Sequence, residues 1–196
     1  MLSIMFACSD SSEQEAVDSS TETCFYDYND GSSQLEWTAY KTNDKVPVAG
    51  SFNKIEVKAE KAESQIDVIK SISFIIDTKS VETNNEERNG KIAEHFFGVI
   101  NTPEITGKVV AVDENGETTV MITMNGISID VKGNSTLEGD TYSFEASIDM
   151  LKWNGMAGIN KLNEVCKDLH AGADGVSKLW SEVALKFTTT LSSDCN

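Results

Sequence analysis

The sequence predicts a mainly β protein, an antiparallel β-barrel of about eight strands carrying one or two short helices. Three observations predict it. Apolar residues recur with period two through most of the chain after residue 24, as in Val120, Ile122 and Met124. Turn signals such as Asn125-Gly126 and Asp174-Gly175 separate these segments, often with no helix between them. The composition favours pleated structure, with frequent Thr, Ser, Val and Ile and only 2 prolines. At 196 residues and 39% hydrophobic content, the chain fits one domain with a substantial core.

The N-terminus stands apart from that domain. Met1 to Ala7 is apolar and runs into Cys8, followed by Ser9-Asp10-Ser11-Ser12. A small residue just before a cysteine at the end of an apolar run resembles a bacterial lipobox, which implies that Cys8 is the acylated first residue of the mature protein. The apolar part is short for a signal core and has no Lys or Arg ahead of it, so residues 1–8 are expected to be a truncated signal and lipobox. Residues 9–23 carry five acids, no base and almost no large apolar residue. Such a segment buries too little surface to order itself and is expected to be a flexible tether. An acidic run after a lipidated cysteine also resembles the surface-export signal of Bacteroidetes lipoproteins. The implied location is the cell envelope, as an outer-membrane lipoprotein that is periplasmic or surface-exposed. No stretch approaches the ~18 consecutive apolar residues of a membrane-spanning helix.

Residues 24–196 form the barrel domain. Cys24 to Tyr28 and Leu35 to Tyr40 flank Asn29-Asp30-Gly31 and are expected to pair as a hairpin. Ser51 to Glu60 alternates at Ile55, Val57 and Ala59, as a strand does. Ile66 and Ile69 suggest a short helical crossing over 62–70. After Pro103 come four period-2 segments, centred on Val109, Ile122, Ile129 and Phe144. The turns between them are Asp113 to Gly116, Asn125-Gly126 and Glu138-Gly139-Asp140. Met156 to His170 changes period, with Ile159, Leu162, Cys166 and Leu169 on one helical face. A last strand covers Val183 to Leu191.

Between the crossing and Pro103 lies Ser71 to Phe97, a strand, a polar turn and a short helix. Ile72, Phe74 and Ile76 share the strand face a sheet would bury. Asn84 and Glu87 have capping-box spacing, Ile92, His95 and Phe96 share one helical face, and Gly98 offers a stop. Within this stretch, IDTKSVETNNEERNGKIAEHFF resembles the signature of the YceI-like family. Ile76, Asp77, Ser80, Val81, Thr83, Arg88, Phe96 and Phe97 match, while Asn89 replaces a usual Asp and Lys91 a common His. Val48, Gly50 and Phe52 before it, and the strand pair around Met124 to Ile127 after it, extend the resemblance over Leu35 to Leu191. The resemblance implies an extended, lipocalin-like barrel that binds polyisoprenoids or other amphiphilic chains, with no enzymatic role.

No catalytic or metal constellation is visible. His95 and His170 are the only histidines, and neither has a partner spaced for a metal site. No cofactor is expected. A net charge of −16, from 32 acids against 16 bases, argues against nucleic-acid binding, which needs clustered Lys and Arg. With Cys8 acylated, Cys24, Cys166 and Cys195 allow one bridge. Cys24–Cys166 is expected first, because Cys166 faces inward on its helix. Cys24–Cys195, a tie between the chain ends, is the alternative, and three free thiols the remaining case.

Two functions follow. In the first, the barrel carries the tail of a polyisoprenoid- or quinone-type lipid, held by burial rather than ion pairing, so that binding is nearly independent of salt. The expected liners are Trp37, Phe52, Phe74, Ile76, Met124, Phe144 and Trp153, with Phe96 and Phe97 closing one end. In the second, a filled barrel is a scaffold whose loops bind other proteins at the cell surface. An apolar cavity of about 300 Å³ or more separates the two.

Overall fold

A computed structural model describes residues 23–195. Cys8 and all but the last residue of the expected tether lie outside the described residues. The elements run β1 (Cys24–Tyr28), β2 (Gln34–Lys41), β3 (Val46–Phe52), β4 (Ile55–Lys58), α1 (Gln65–Ser71), β5 (Ser73–Asp77), β6 (Val81–Glu82) and α2 (Glu86–Ile92). They continue with β7 (Glu104–Val112), β8 (Glu117–Met124), β9 (Ile127–Glu138), β10 (Thr141–Asp149), α3 (Met156–Val165) and β11 (Leu179–Cys195).

These eleven strand segments join in one sheet, ordered β4-β5-β7-β8-β9-β10-β11-β2-β3-β6, with β1 also on β11. Every pairing is antiparallel. The path ends at β4 and β6, yet β4 continues β3 after Asn53-Lys54, and β6 continues β5 after Thr78 to Ser80. The two ends of the sheet therefore meet in one bent pair. β3 holds β6 on one side of the corner and β4 holds β5 on the other. At the corner itself, Asn53 N donates to Ser80 O at 2.9 Å and Asp77 N donates to Lys54 O at 3.2 Å. The sheet thus curls until its edges adjoin, which leaves few strand edges unpaired.

The expected hairpin between the first two strands does not form. Cys24 to Tyr28 pairs with Leu191 to Cys195, and Gln34 to Lys41 pairs with Leu179 to Thr188. β1 and β2 therefore run down one flank of β11 as a single interrupted strand. Asn29 to Ser33 forms the break: Asn29 N and Ser32 Oγ both donate to Thr190 O. The turn residues were legible as a break, but a 17-residue strand able to hold both pieces was not. Val46–Phe52 is a second strand absent from the expectation, since Pro47, Gly50 and the polar neighbours hide its alternation.

This pairing settles the disulfide. Cys24 and Cys195 are directly opposed in the β1–β11 ladder, and they form the bridge. The preferred Cys24–Cys166 pairing is therefore incorrect. Cys166 does face inward, but at the end of α3, where it is buried and free.

Two ends of the barrel differ. At the Cys24–Cys195 end, α1 lies across the opening, its Ser64 cap accepting from Asp67 N and its Val68 and Ile69 fully buried. The Gln65 amide ties it to Gly139 O and Asp140 in the β9–β10 turn. At the other end sit α2, the wider π turn Ala93–Phe97 that continues it, and α3. Asn85, not Asn84, caps α2, accepting from Arg88 N at 2.9 Å. Asn84 instead takes the left-handed conformation that reverses the chain. Gly98 does follow the last helical residue, Phe97, as its cap, but without the left-handed conformation of a glycine stop. It stays right-handed and closes the π turn by donating to Ala93 O, and Asn101 makes the left-handed exit. The Asn125-Gly126 turn has the expected positive φ at both residues, 48° and 69°, as a type I′ hairpin requires.

Candidate ligand-binding site

The inner faces of the strands and the undersides of α2, the π turn and α3 enclose an apolar cavity of about 480 Å³. Strand alternation supplies the walls. Trp37 comes from β2, Phe74 and Ile76 from β5, Met124 from β8, and Phe144 from β10. Phe52 enters at the corner of β3. Phe96 and Phe97 come from the π turn, with their rings edge to face at 5.0 Å, and Phe97 also stands 6.0 Å from Phe52. Eight of the nine expected liners are therefore brought together.

Trp153 is not among them. The chain leaves β10 through a tight helical turn at Met150–Trp153, so the strand alternation cannot be extrapolated to residue 153. Its indole is fully buried away from the cavity, and Nε1–H donates to Ile122 O at 3.2 Å. Asn125 Nδ2 in turn donates to Trp153 O at 2.9 Å, which fixes this turn to the β8–β9 hairpin.

Many large rings point inward, yet the barrel is not filled. Glycines on adjacent strands account for this. Phe74 lies directly opposite Gly107, and a Cβ at residue 107 would overlap its ring. Trp37 has the same relation to Gly50 on β3. Phe144 lies over Gly133 on β9, diagonally along the ladder. Each of these three rings is laid on bare backbone and becomes wall rather than plug. Deep in the cavity, Tyr142 is 2% exposed, and its hydroxyl donates to Thr118 Oγ1 at 3.4 Å. Burial pushes the Tyr142 phenol above its ordinary range, so it remains a neutral hydroxyl.

The exposed liners are Asn85, Glu87, Arg88 and Leu169, and they mark the mouth. Sequence reasoning missed this rim. Lys41 Nζ donates to Leu169 O at 2.8 Å, and Lys91 pairs with Glu87 at 2.6 Å. His170 Nδ1 is 3.1 Å from Asn163 Oδ1, an acceptor that also takes the Ser177 hydroxyl at 2.9 Å. Burial, then Lys41 and Lys91, pulls the His170 imidazole down to about 4, which leaves it neutral at pH 7. Burial raises the Cys166 thiol, so it is an inert wall residue. The one available signal for the rim was Arg88, the only arginine in the chain. Among the described residues, no group of three or more His, Cys, Asp or Glu converges as metal ligands do.

The geometry agrees with known proteins. Residues 26–191 match the sequence pattern of the YceI-like domain. A polyisoprenoid binding domain from Saccharophagus degradans, described as implicated in plant cell wall breakdown, is similar in structure with a TM-score of 0.60. It is 17% identical over 88% of this chain and 99% of its own. Burkholderia cenocepacia BcnA has a TM-score of 0.56 and 19% identity, over 85% of this chain and 99% of its own. These two likenesses establish the shared fold. No curated protein matches the chain. With the matched pattern spanning all but the ends of a curled antiparallel barrel, the chain belongs to the YceI-like family.

Proposed function

We propose that this protein binds and carries one chain-like amphiphilic lipid, of polyisoprenoid or quinone type, with the tail inside the barrel. The open apolar cavity carries this reading. Its 480 Å³ exceeds the mark of about 300 Å³ that separates a carrier from a filled scaffold. At roughly 30 Å³ per water-sized group, the volume suits on the order of fifteen methylenes. Each buried methylene contributes about 0.8 kcal/mol, so fifteen carbons give roughly 12 kcal/mol, from which ordering costs of about 4 kcal/mol or more are subtracted. Micromolar affinity is within reach of a tail this long. The Saccharophagus degradans domain, described as polyisoprenoid binding, supports the same ligand class.

The carrier is further proposed to be an exported lipoprotein of the cell envelope, attached to a membrane by acylated Cys8. Two acyl chains give firm attachment where one gives marginal binding. Cys8→Ser is expected to move the protein from the detergent phase to the soluble fraction while it stays folded, and soluble wild type that retains residues 1–7 would contradict the anchor. The carrier itself is tested by titration with a fluorescent isoprenoid. Saturable one-to-one binding is expected. A titration that does not saturate would return the protein-interaction scaffold as the better account.

A further inference from the structure

The mouth of the cavity has a charge opposite to that of the protein. The chain carries −16 overall, yet the charged liners of the cavity are Lys41, Arg88 and Lys91 against the single carboxylate of Glu87. Glu87 is occupied by Lys91, which leaves an excess of positive charge where the apolar interior meets solvent. Neither Lys41 nor Arg88 makes an ion pair among the described residues. Lys41 uses one ammonium hydrogen on Leu169 O and keeps two. The Arg88 guanidinium makes no side-chain hydrogen bond within the described residues, so its planar fork of donors is open.

These groups share one rim. Lys41 and Lys91 both act on the His170 imidazole, and Lys91, Glu87, Arg88 and Lys41 all act on the Cys166 thiol, Glu87 against the three cations. Arg88 and Lys91 stand on α2 and Lys41 at the end of β2, so two separate elements bring the charges to one opening, beside Cys166 and His170, which follow α3. The Cys166 thiol and the His170 ring lie on the cavity lining with them, and both are neutral, so neither cancels the excess.

We propose that the rim selects lipids whose head is an oxyanion, a carboxylate or a phosphate, held by Arg88 with Lys41 and Lys91 while the tail fills the barrel. This rests on the carrier reading and narrows its ligand. Arg88 supplies a bidentate fork that matches either head. The ammonium groups add charge-assisted hydrogen bonds from the flanks. A bound anion at this position gains from an apolar floor that lowers the local dielectric below that of water.

The test uses the full chain and two matched pairs of probes, kept below micelle-forming concentrations. Hexadecanoate is compared with 1-hexadecanol, and farnesyl phosphate with farnesol. The acidic member of at least one pair is expected to bind about tenfold or more tightly than its neutral partner, the range of a hydrogen bond to a charged group. The pair that shows the larger ratio identifies carboxylate or phosphate as the head. In the Lys41→Gln/Arg88→Gln double variant the ratio is expected to fall toward one, and Arg88→Lys is expected to retain part of it. Equal binding within both pairs would overturn the inference and leave the carrier reading intact. A ratio unchanged in the double variant would also overturn it, because the selectivity would then reside elsewhere. If none of the four probes binds, the carrier reading falls and this inference falls with it.

Discussion

Phe74 and Gly107 face one another across the β5–β7 ladder, and the tip of the phenyl ring occupies the space where a side chain at 107 would stand. Meanwhile Met121 O, on the next strand, closes the other side of that space. Gly107→Ala must therefore push the ring into the cavity or distort the wall. The expected cost is about 1–3 kcal/mol of stability, typical of overpacking, together with weaker lipid binding. Urea unfolding and lipid titration of the variant measure both. Full stability with unchanged affinity would show that the ring does not need bare backbone beneath it.

The Cys24–Cys195 bridge joins residues 171 apart in sequence, so it restricts the unfolded chain strongly. Cys24→Ser is expected to lower stability by about 3–5 kcal/mol. Peptide mapping without reductant should recover a Cys24–Cys195 link and leave Cys166 as a thiol. Cys166→Ser should leave that link unchanged. A mapped bridge to Cys166 would contradict the register of β1 on β11.

His170 gives the fold a pH response with a defined sign. Its folded-state value of about 4 lies below the ordinary 6.5. Between those values the unfolded chain takes up a proton that the folded chain refuses, so this group's contribution is complete above pH 6.5 and is lost as pH falls toward 4. Burial opposes the imidazolium most, followed by Lys41 and Lys91. Wild type should lose more stability than His170→Gln between pH 7 and pH 5, measured by urea midpoints. Parallel losses in the two proteins would show that the ring is not held neutral.

Period-2 patterning made the wall legible. Ile76, Met124 and Phe144 could be placed inside because strand alternation is local, and each falls on the cavity lining. Asn125-Gly126 was readable for the same reason, since a two-residue turn depends only on its own φ angles. What failed depended on distant partners. The first strand looks like half of a hairpin until the far end of β11 is seen to claim it, and the bridge from Cys24 follows that pairing. Trp153 fails because one tight turn ends the alternation three residues earlier. The rim was hidden more completely. Lys41, Arg88 and Lys91 are scattered among 32 acids in sequence, and only the fold, which brings α2 to the end of β2, gathers them.

The central claim is that the barrel interior holds a lipid tail, and organic extraction of the purified full-length protein followed by lipid mass spectrometry tests it most directly. Ile76, 2% exposed on the cavity wall, provides the control, because Ile76→Trp fills the space a tail would occupy. That variant is expected to fold cooperatively at a cost of about 1–3 kcal/mol. Wild type should release a single class of chain-like lipid in near-stoichiometric amount, and Ile76→Trp much less. Wild type that yields no lipid, or a variant that yields as much as wild type, would contradict the account.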